Sequence, residues 1–151
     1  MNCIYFNFVG IKLIINKLIA TNHTIKVIYK DFPIFGGDSM YAAKATLAAY
    51  QLNPAHYSQF HHDLMAKTDP LDQATVEAIA KQNGYNINAI NALVKNQSIQ
   101  QQIDQNFKLA KDMKLSGTPA FILANKDLTK FQFIPGSTTA ANLQSLITTL
   151  Q

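Results

Sequence analysis

The chain has 151 residues, among them 13 lysines, no arginine, 9 acidic residues, one cysteine and no tryptophan, for a net charge of +4. With 48% hydrophobic and 15% charged residues it is neither disordered nor collagen-like, and its length suits one domain burying roughly 68–70% of its unfolded surface. A lone cysteine excludes an internal disulfide, a CxxC redox pair and a multi-cysteine zinc site.

The lysines are scattered from Lys12 to Lys130 without a run of three, and nucleic-acid readers favour the planar fork of arginine, so no nucleic-acid partner is expected. Residues 1–20 make a poor secretory leader. No basic side chain accompanies Met1-Asn2, Lys12 and Lys17 interrupt the apolar stretch, and residues 3–11 are too few to span a bilayer. Neither export nor anchoring is expected from this segment.

After a short apolar segment, Ile11, Ile14, Ile15, Leu18 and Ile19 repeat at helical spacing and predict a helix over 10–21. Ile25, Val27 and Tyr29 alternate as in a strand ended by Asp31-Phe32-Pro33. Gly36 and Gly37 make a tight loop, Ser39 is the expected N-cap, and an alanine-rich helix runs over 40–52. Asn53-Pro54 breaks it, and a further helix is expected over 57–67 with Phe60 and Leu64 inward. Asp72 caps the next helix, which Gly84 ends in a left-handed conformation, and Asn86 caps a short helix bearing Ile87, Ile90 and Val94. Ser98 and Gln101 have capping-box spacing ahead of Ile99, Ile103, Phe107, Ala110 and Met113, which predicts a long helix to about Lys114.

Five successive apolar residues from Ala120 to Ala124 suit a strand buried on both faces. Asn125-Lys126-Asp127 turns the chain into a partner strand from Phe131 to Ile134, and Thr138 caps a last helix with Leu143, Leu146, Ile147 and Leu150 inward. A helical block thus interrupts an α/β core, and a crossover between two parallel strands is the expected carrier of that block.

This order resembles the DsbA-like thiol:disulfide oxidoreductases, a thioredoxin-like fold with an inserted helical domain. The matching stretches are Phe32-Pro33-Ile34 leading into Ser39 and Ala42-Ala43, Phe60-His61-His62-Asp63-Leu64-Met65, and Gly117-Thr118-Pro119-Ala120-Phe121. The resemblance covers residues 11–151 and implies a thioredoxin-like core over 1–37 and 98–151 with a helical subdomain over 38–97. It further implies a cis Thr118-Pro119 peptide beside the redox site, these two residues binding an extended peptide, and a home in the periplasm. No cofactor is implied.

The front of the chain departs from the family. A strand should lead into CxxC at a helix N-terminus, where backbone N–H groups stabilise a thiolate. Sliding the resemblance back from Ile14-Ile15 puts that motif at residues 5–8, Tyr5 to Phe8, where no cysteine stands. The preceding strand would need residues before Met1, so the first sheet strand is expected to be missing or replaced, with residues 3–8 a candidate to fill its place. Cys3 lies about two residues too early for this register, and its partner position is Phe6, so it is only a weak candidate nucleophile.

The cluster His56, His61, His62 and Asp63 has no zincin spacing, so no metal site is expected. Gly36-Gly37 lacks the rest of any phosphate-binding motif, and no nucleophile elbow supports a Ser/His/Asp triad. Three expectations follow from the lone cysteine: a DsbA-family chain inactive in dithiol exchange, a redox-inactive peptide-binding or chaperone-like protein using the Thr118-Pro119 groove, or a truncated gene product.

Overall fold

A computed structural model describes residues 2–6, 15, 18–20, 22, 24–67 and 71–150. The chain divides into two compact units, one of Met1–Asp31 with Ala110–Gln151 and one of Phe32–Leu109. The helical unit is therefore wider than the 38–97 read from the sequence. Its outer parts belong to it by packing: the Phe32 and Phe107 rings meet edge to face at 5.0 Å, and Ile99 is fully buried in the helical core.

The first unit is built on a four-stranded sheet in the order β2-β1-β3-β4. Its strands are β1 (Asn2–Phe6), β2 (Lys26–Lys30), β3 (Ala120–Ala124) and β4 (Phe131–Ile134). β1 runs parallel to β2, with Cys3 opposite Val27, and antiparallel to β3, with Cys3 opposite Leu123. β3 and β4 form the expected hairpin. The central place expected to be empty or refilled is thus held by Asn2–Phe6. The parallel pair is β1 with β2, which are joined through the helical residues Ile15 and 18–20, so the crossover expectation applied to the wrong connection. The helical block instead leads from β2 to β3, which are not neighbours. Of the helix predicted over 10–21, residues 10–14, 16, 17 and 21 lie outside the described residues.

Alternation selects what the sheet buries. Phe121 and Leu123 of β3 point to one face, as do Val27 and Tyr29 of β2, and there they meet Ile15, Leu18 and the buried stripe of helix α6 (Ala140–Leu150), Leu143, Ile147 and Leu150. Every residue of β3 is buried, as five unbroken apolar residues predict. Removing a side chain such as Phe121 from water contributes about 1.5–3 kcal/mol. Asn22 then ties the segment before β2 to α6: its side-chain N–H donates to Leu18 O at 3.0 Å and to Gln144 Oε1 at 2.7 Å.

The second unit holds α1 (Gly37–Leu52), α2 (Pro54–Met65), α3 (Gln73–Gln82), α4 (Ile87–Val94) and most of α5 (Gln97–Asp112). The fully buried Ala45, Ala48 and Ala49 of α1 let neighbouring helices approach, and Phe60, Leu64, Val76, Ile79, Ala80, Ile90 and Ile99 close over them.

Several helix starts differ from the sequence reading. α1 begins at Gly37 with Gly36 as N-cap, at φ 85, and its first amide bond runs from Met40 N–H to Gly36 O at 3.0 Å, which leaves Ser39 inside the helix. α2 begins at Pro54, three residues before the expected start, because Asn53 caps it by accepting from Ala55 N–H at 3.1 Å and proline suits the first helical position. Asn96, not Ser98, caps α5: its side-chain oxygen accepts from Ser98 N–H at 2.9 Å. Asp72 and Asn86 cap α3 and α4 by accepting from Thr75 and Ala89 N–H at 2.8 and 3.1 Å, as predicted.

Polar side chains staple the helical unit where apolar packing ends. His56 Nδ1 is bonded to Asn83 O at 2.9 Å, Asn83 Nδ2 donates to Asp63 Oδ2 at 2.9 Å, and the Tyr85 hydroxyl donates to Asn53 O at 2.8 Å. Elsewhere Glu77 Oε1 accepts from Gln73 Nε2 at 2.7 Å and Asn91 Nδ2 at 2.9 Å, and lies 3.2 Å from the Tyr41 hydroxyl, which donates to Asn91 Oδ1 at 2.7 Å. Burial, then the charge of Glu77 and its hydrogen bond, push the Tyr41 hydroxyl pKa up to about 12. The bond from Gln73, followed by that from Asn91, holds the Glu77 carboxyl below its ordinary value.

Candidate functional site

The first unit brings two sequence-predicted site residues to the mouth of β3. Gly117, Thr118 and Pro119 lead directly into Ala120; Pro119 is buried, Thr118 is half-buried, and the Thr118–Pro119 peptide is cis. Pairing of β3 with β1 starts at Ala120 and pairing with β4 at Phe121, so Thr118 precedes both ladders. Among the described residues no hydrogen bond engages the Thr118 N–H or C=O. A half-buried residue whose N–H and C=O take no hydrogen bond among the described residues, just ahead of a buried strand, is a place where an extended peptide can add hydrogen bonds.

The register also locates the C-terminal end of β1. Phe6 lies opposite Ala120, one residue after Pro119, so the chain leaves β1 beside the Thr118–Pro119 segment. A redox motif following a central strand would start there. Tyr5 and Phe6, given to the motif from the sequence, are instead the last two residues of β1, while Asn7 and Phe8 lie outside the described residues.

Cys3 is the middle residue of β1, paired on both sides, and stands about 10 Å of strand short of Phe6 at ~3.3 Å per residue. The weak candidacy of Cys3 as a nucleophile at a helix N-terminus therefore has no support in the topology. No other cysteine exists in the sequence, so CxxC is absent in every register. The missing signal was long-range pairing: nothing local in Asn-Cys-Ile-Tyr-Phe shows that this stretch lies between β2 and β3.

Among the described residues the histidines do not assemble into a site. His56 binds the carbonyl end of α3 through Asn83 O, His61 is buried with its ring 5.4 Å from that of Tyr57, and Asp63 accepts from Gln59 and Asn83. Among the described residues no group of three His, Cys, Asp or Glu side chains could hold a metal ion, and no helix is long and apolar enough to cross a membrane.

Solved structures place this architecture among thioredoxin-like oxidoreductases. A thioredoxin-like oxidoreductase from Silicibacter pomeroyi DSS-3 is 23% identical, with a TM-score of 0.86 over 98% of this chain and 84% of that one. The thiol-disulfide exchange protein alpha-DsbA2 from Wolbachia pipientis is 27% identical, with a TM-score of 0.85 over 99% and 81%. Proteus mirabilis ScsC in a compact conformation is 20% identical, with a TM-score of 0.80 over 99% and 82%. No curated protein sequence matches the chain. The DSBA-like thioredoxin domain family matches residues 9–148, nearly the whole chain, and with the helical insertion, the sheet order and the Thr-Pro entry to β3 this shows that the chain belongs to that family.

Proposed function

We propose that this chain keeps the peptide-docking segment of a DsbA-like protein without its dithiol chemistry, and acts as a redox-inactive peptide-binding protein. The observation that carries the reading is the place of its one cysteine, in the middle of central strand β1 and not at the strand's end beside Pro119. Oxidising a substrate dithiol removes two electrons and two protons, which a DsbA-like protein accepts by reducing its own disulfide. The mixed disulfide formed on the way must be resolved by a second thiol. One cysteine forms no internal disulfide to begin the cycle and supplies no second thiol for the reverse, reductive direction.

What remains is recognition. An extended client segment would lie against Thr118 and pair with its open N–H and C=O, taking affinity from main-chain bonds and little sequence preference.

The test has two arms on the 151-residue chain. In the first, neither insulin reduction nor oxidative refolding of a reduced substrate should exceed the rate without protein, with wild type and Cys3→Ala indistinguishable. In the second, titration with an unfolded model peptide, followed by amide NMR, should shift Thr118 and Ala120 first, again equally in Cys3→Ala. Turnover in the first arm that depends on Cys3 would overturn redox inactivity, and unperturbed amides at saturating peptide would remove the docking role.

A further inference from the structure

We infer that Asn83-Gly84 is a self-modifying site held shut by the fold: when the contact between α2 and the end of α3 opens, Asn83 loses ammonia through a succinimide and becomes aspartate or isoaspartate.

The reaction needs only the chain and water. The Gly84 backbone nitrogen attacks Asn83 Cγ and bonds to it, the Cγ–Nδ2 bond breaks, and the Gly84 amide proton leaves with Nδ2 as ammonia. Water then adds at one of the two ring carbonyls and breaks its bond to the Gly84 nitrogen, so nothing is oxidised or reduced. Opening at Cγ gives aspartate on a normal backbone; opening at the Asn83 carbonyl carbon gives isoaspartate, with the main chain routed through Cβ and Cγ. A glycine after the asparagine leaves the attacking nitrogen unscreened, because it has no Cβ. Asn83-Gly84 is the one Asn-Gly pair in the sequence.

The folded geometry opposes each part of that attack. Ring closure brings the Gly84 nitrogen into line with Asn83 Cβ, whereas at ψ 13 it nearly eclipses Asn83's own nitrogen, about a third of a turn away. The Gly84 N–H is also engaged, donating to Lys81 O at 3.0 Å. The carboxamide is tied down in turn: Asn83 Nδ2 donates to Asp63 Oδ2 and to Ile79 O, both at 2.9 Å. His56 completes the restraint, with Nδ1 bonded to Asn83 O at 2.9 Å and its ring so close to Gly84 that an added Cβ would meet Nδ1 at 3.3 Å. His56 and Asp63 both stand on α2, so withdrawal of that helix frees the Asn83 backbone and carboxamide together. Gly84 is exposed and Asn83 half-buried, which gives water access to the opened bond.

The product disfavours reclosure. Aspartate at 83 sets a second carboxylate where Nδ2 now meets Asp63, removes the donor to Ile79 O, and adds negative charge at a helix C-terminus. Isoaspartate lengthens the main chain just before Gly84 and Tyr85, whose N–H groups close α3 onto Lys81 O and Ala80 O. A transient opening of the helical unit is thereby made permanent.

The test follows deamidation of the 151-residue chain by ammonia release and peptide mapping at mildly alkaline pH. In unfolding guanidinium chloride, Asn83 should be lost before any other asparagine. In buffer it should be lost at about a tenth of that rate or less, since only the open fraction reacts. His56→Ala and Asp63→Ala each remove one restraint and leave the reacting groups in place, so each should raise the rate in buffer about threefold or more with circular dichroism unchanged. If one variant loses the folded spectrum, the other decides. Asn83→Asp, the aspartate product, should exchange its Gly84 and Tyr85 amide protons several times faster than wild type. Equal rates in buffer and denaturant overturn the restraint, as do equal rates in wild type and the folded variants. Loss of Asn83 no faster than that of other asparagines in denaturant overturns the site, and Asn83→Asp amides that exchange as slowly as those of wild type overturn the permanent opening.

Discussion

Two helices in this chain end in the same hydrogen-bonding motif with different residues at its left-handed position. At the end of α3, Gly84 N–H donates to Lys81 O and Tyr85 N–H to Ala80 O, both at 3.0 Å, with Gly84 at φ 80. At the end of α5, Lys114 N–H donates to Lys111 O at 3.0 Å and Leu115 N–H to Ala110 O at 2.9 Å, with Lys114 at φ 54. Both are Schellman motifs, in which glycine is favoured because a Cβ crowds the following carbonyl. A left-handed non-glycine residue costs roughly 1–2 kcal/mol, and glycine's greater unfolded freedom takes back ~0.4–1. Lys114 also lies at a helix C-terminus, where its charge contributes about 0.3–1 kcal/mol. Alanine loses that charge term equally, so the comparison of Lys114→Gly with Lys114→Ala isolates the backbone. Lys114→Gly should be the more stable of the two by about 1 kcal/mol in urea unfolding at unchanged m-value, equivalent to about 2–4 °C in Tm. Gly84→Ala should lose about 1 kcal/mol or more. There the added Cβ also meets His56 Nδ1 at 3.3 Å, and the bond from that atom to Asn83 O restrains the ring from yielding. If Lys114→Gly proves no more stable than Lys114→Ala, the left-handed cost assigned here is wrong.

Three further outcomes follow from the helical unit. Phe60→Ala, at a fully buried position, should lower the unfolding free energy by about 3–5 kcal/mol in a denaturant titration. Glu77 has its carboxyl pKa held down by Gln73 and Asn91, so its contribution is present above the ordinary value of 4.5 and is lost as pH falls through the lowered one. The urea-midpoint advantage of wild type over Glu77→Gln should therefore shrink with acidification below that value, and an advantage that grows would refute the assignment. For Tyr41 the folded chain holds its proton to about 12 while the unfolded chain releases it near 10, so stability should fall between these pH values. Tyr41→Phe should reduce that fall, leaving the share of Tyr85, whose hydroxyl burial also pushes up.

Local signals in the sequence were readable where one residue type has one physical use. Asp72 and Asn86 accept from the third helical amide, Gly84 takes the left-handed position, and Ala120 to Ala124 is buried throughout. Readings failed where two signals competed. Asn53-Pro54 reads as a break, yet the same dipeptide is a cap followed by the proline-tolerant first helical position, and α2 starts there. Ser39 lost the start of α1 to Gly36, and Ser98 that of α5 to Asn96, because a suitable side chain does not settle which of several neighbouring residues leaves the helical conformation. The width of the helical unit was hidden for another reason: it depends on Phe32 meeting Phe107, two residues far apart in sequence.

The candidate site divides along the same line. Thr118 and Pro119 are marked as a site by the family resemblance that the run Gly117 to Phe121 helps to carry, and that run is contiguous in the sequence. The other half rested on knowing where β1 ends, and parallel and antiparallel pairing on its two sides fixes that end opposite Ala120. Moving the pairing of β1 by one residue would shift its register against β2 and β3 at once, so a two-sided ladder resists slippage. Bringing Cys3 to the end of the strand would take three such steps and break both ladders. The register of the sheet, more than the count of thiols, thus keeps the one cysteine away from the Thr118–Pro119 segment. A redox role for Cys3 would require β1 to leave the sheet, and its amide protons would then exchange as fast as those of an unpaired segment. Slow exchange at residues 3–5, measured in the intact chain, is the expected result.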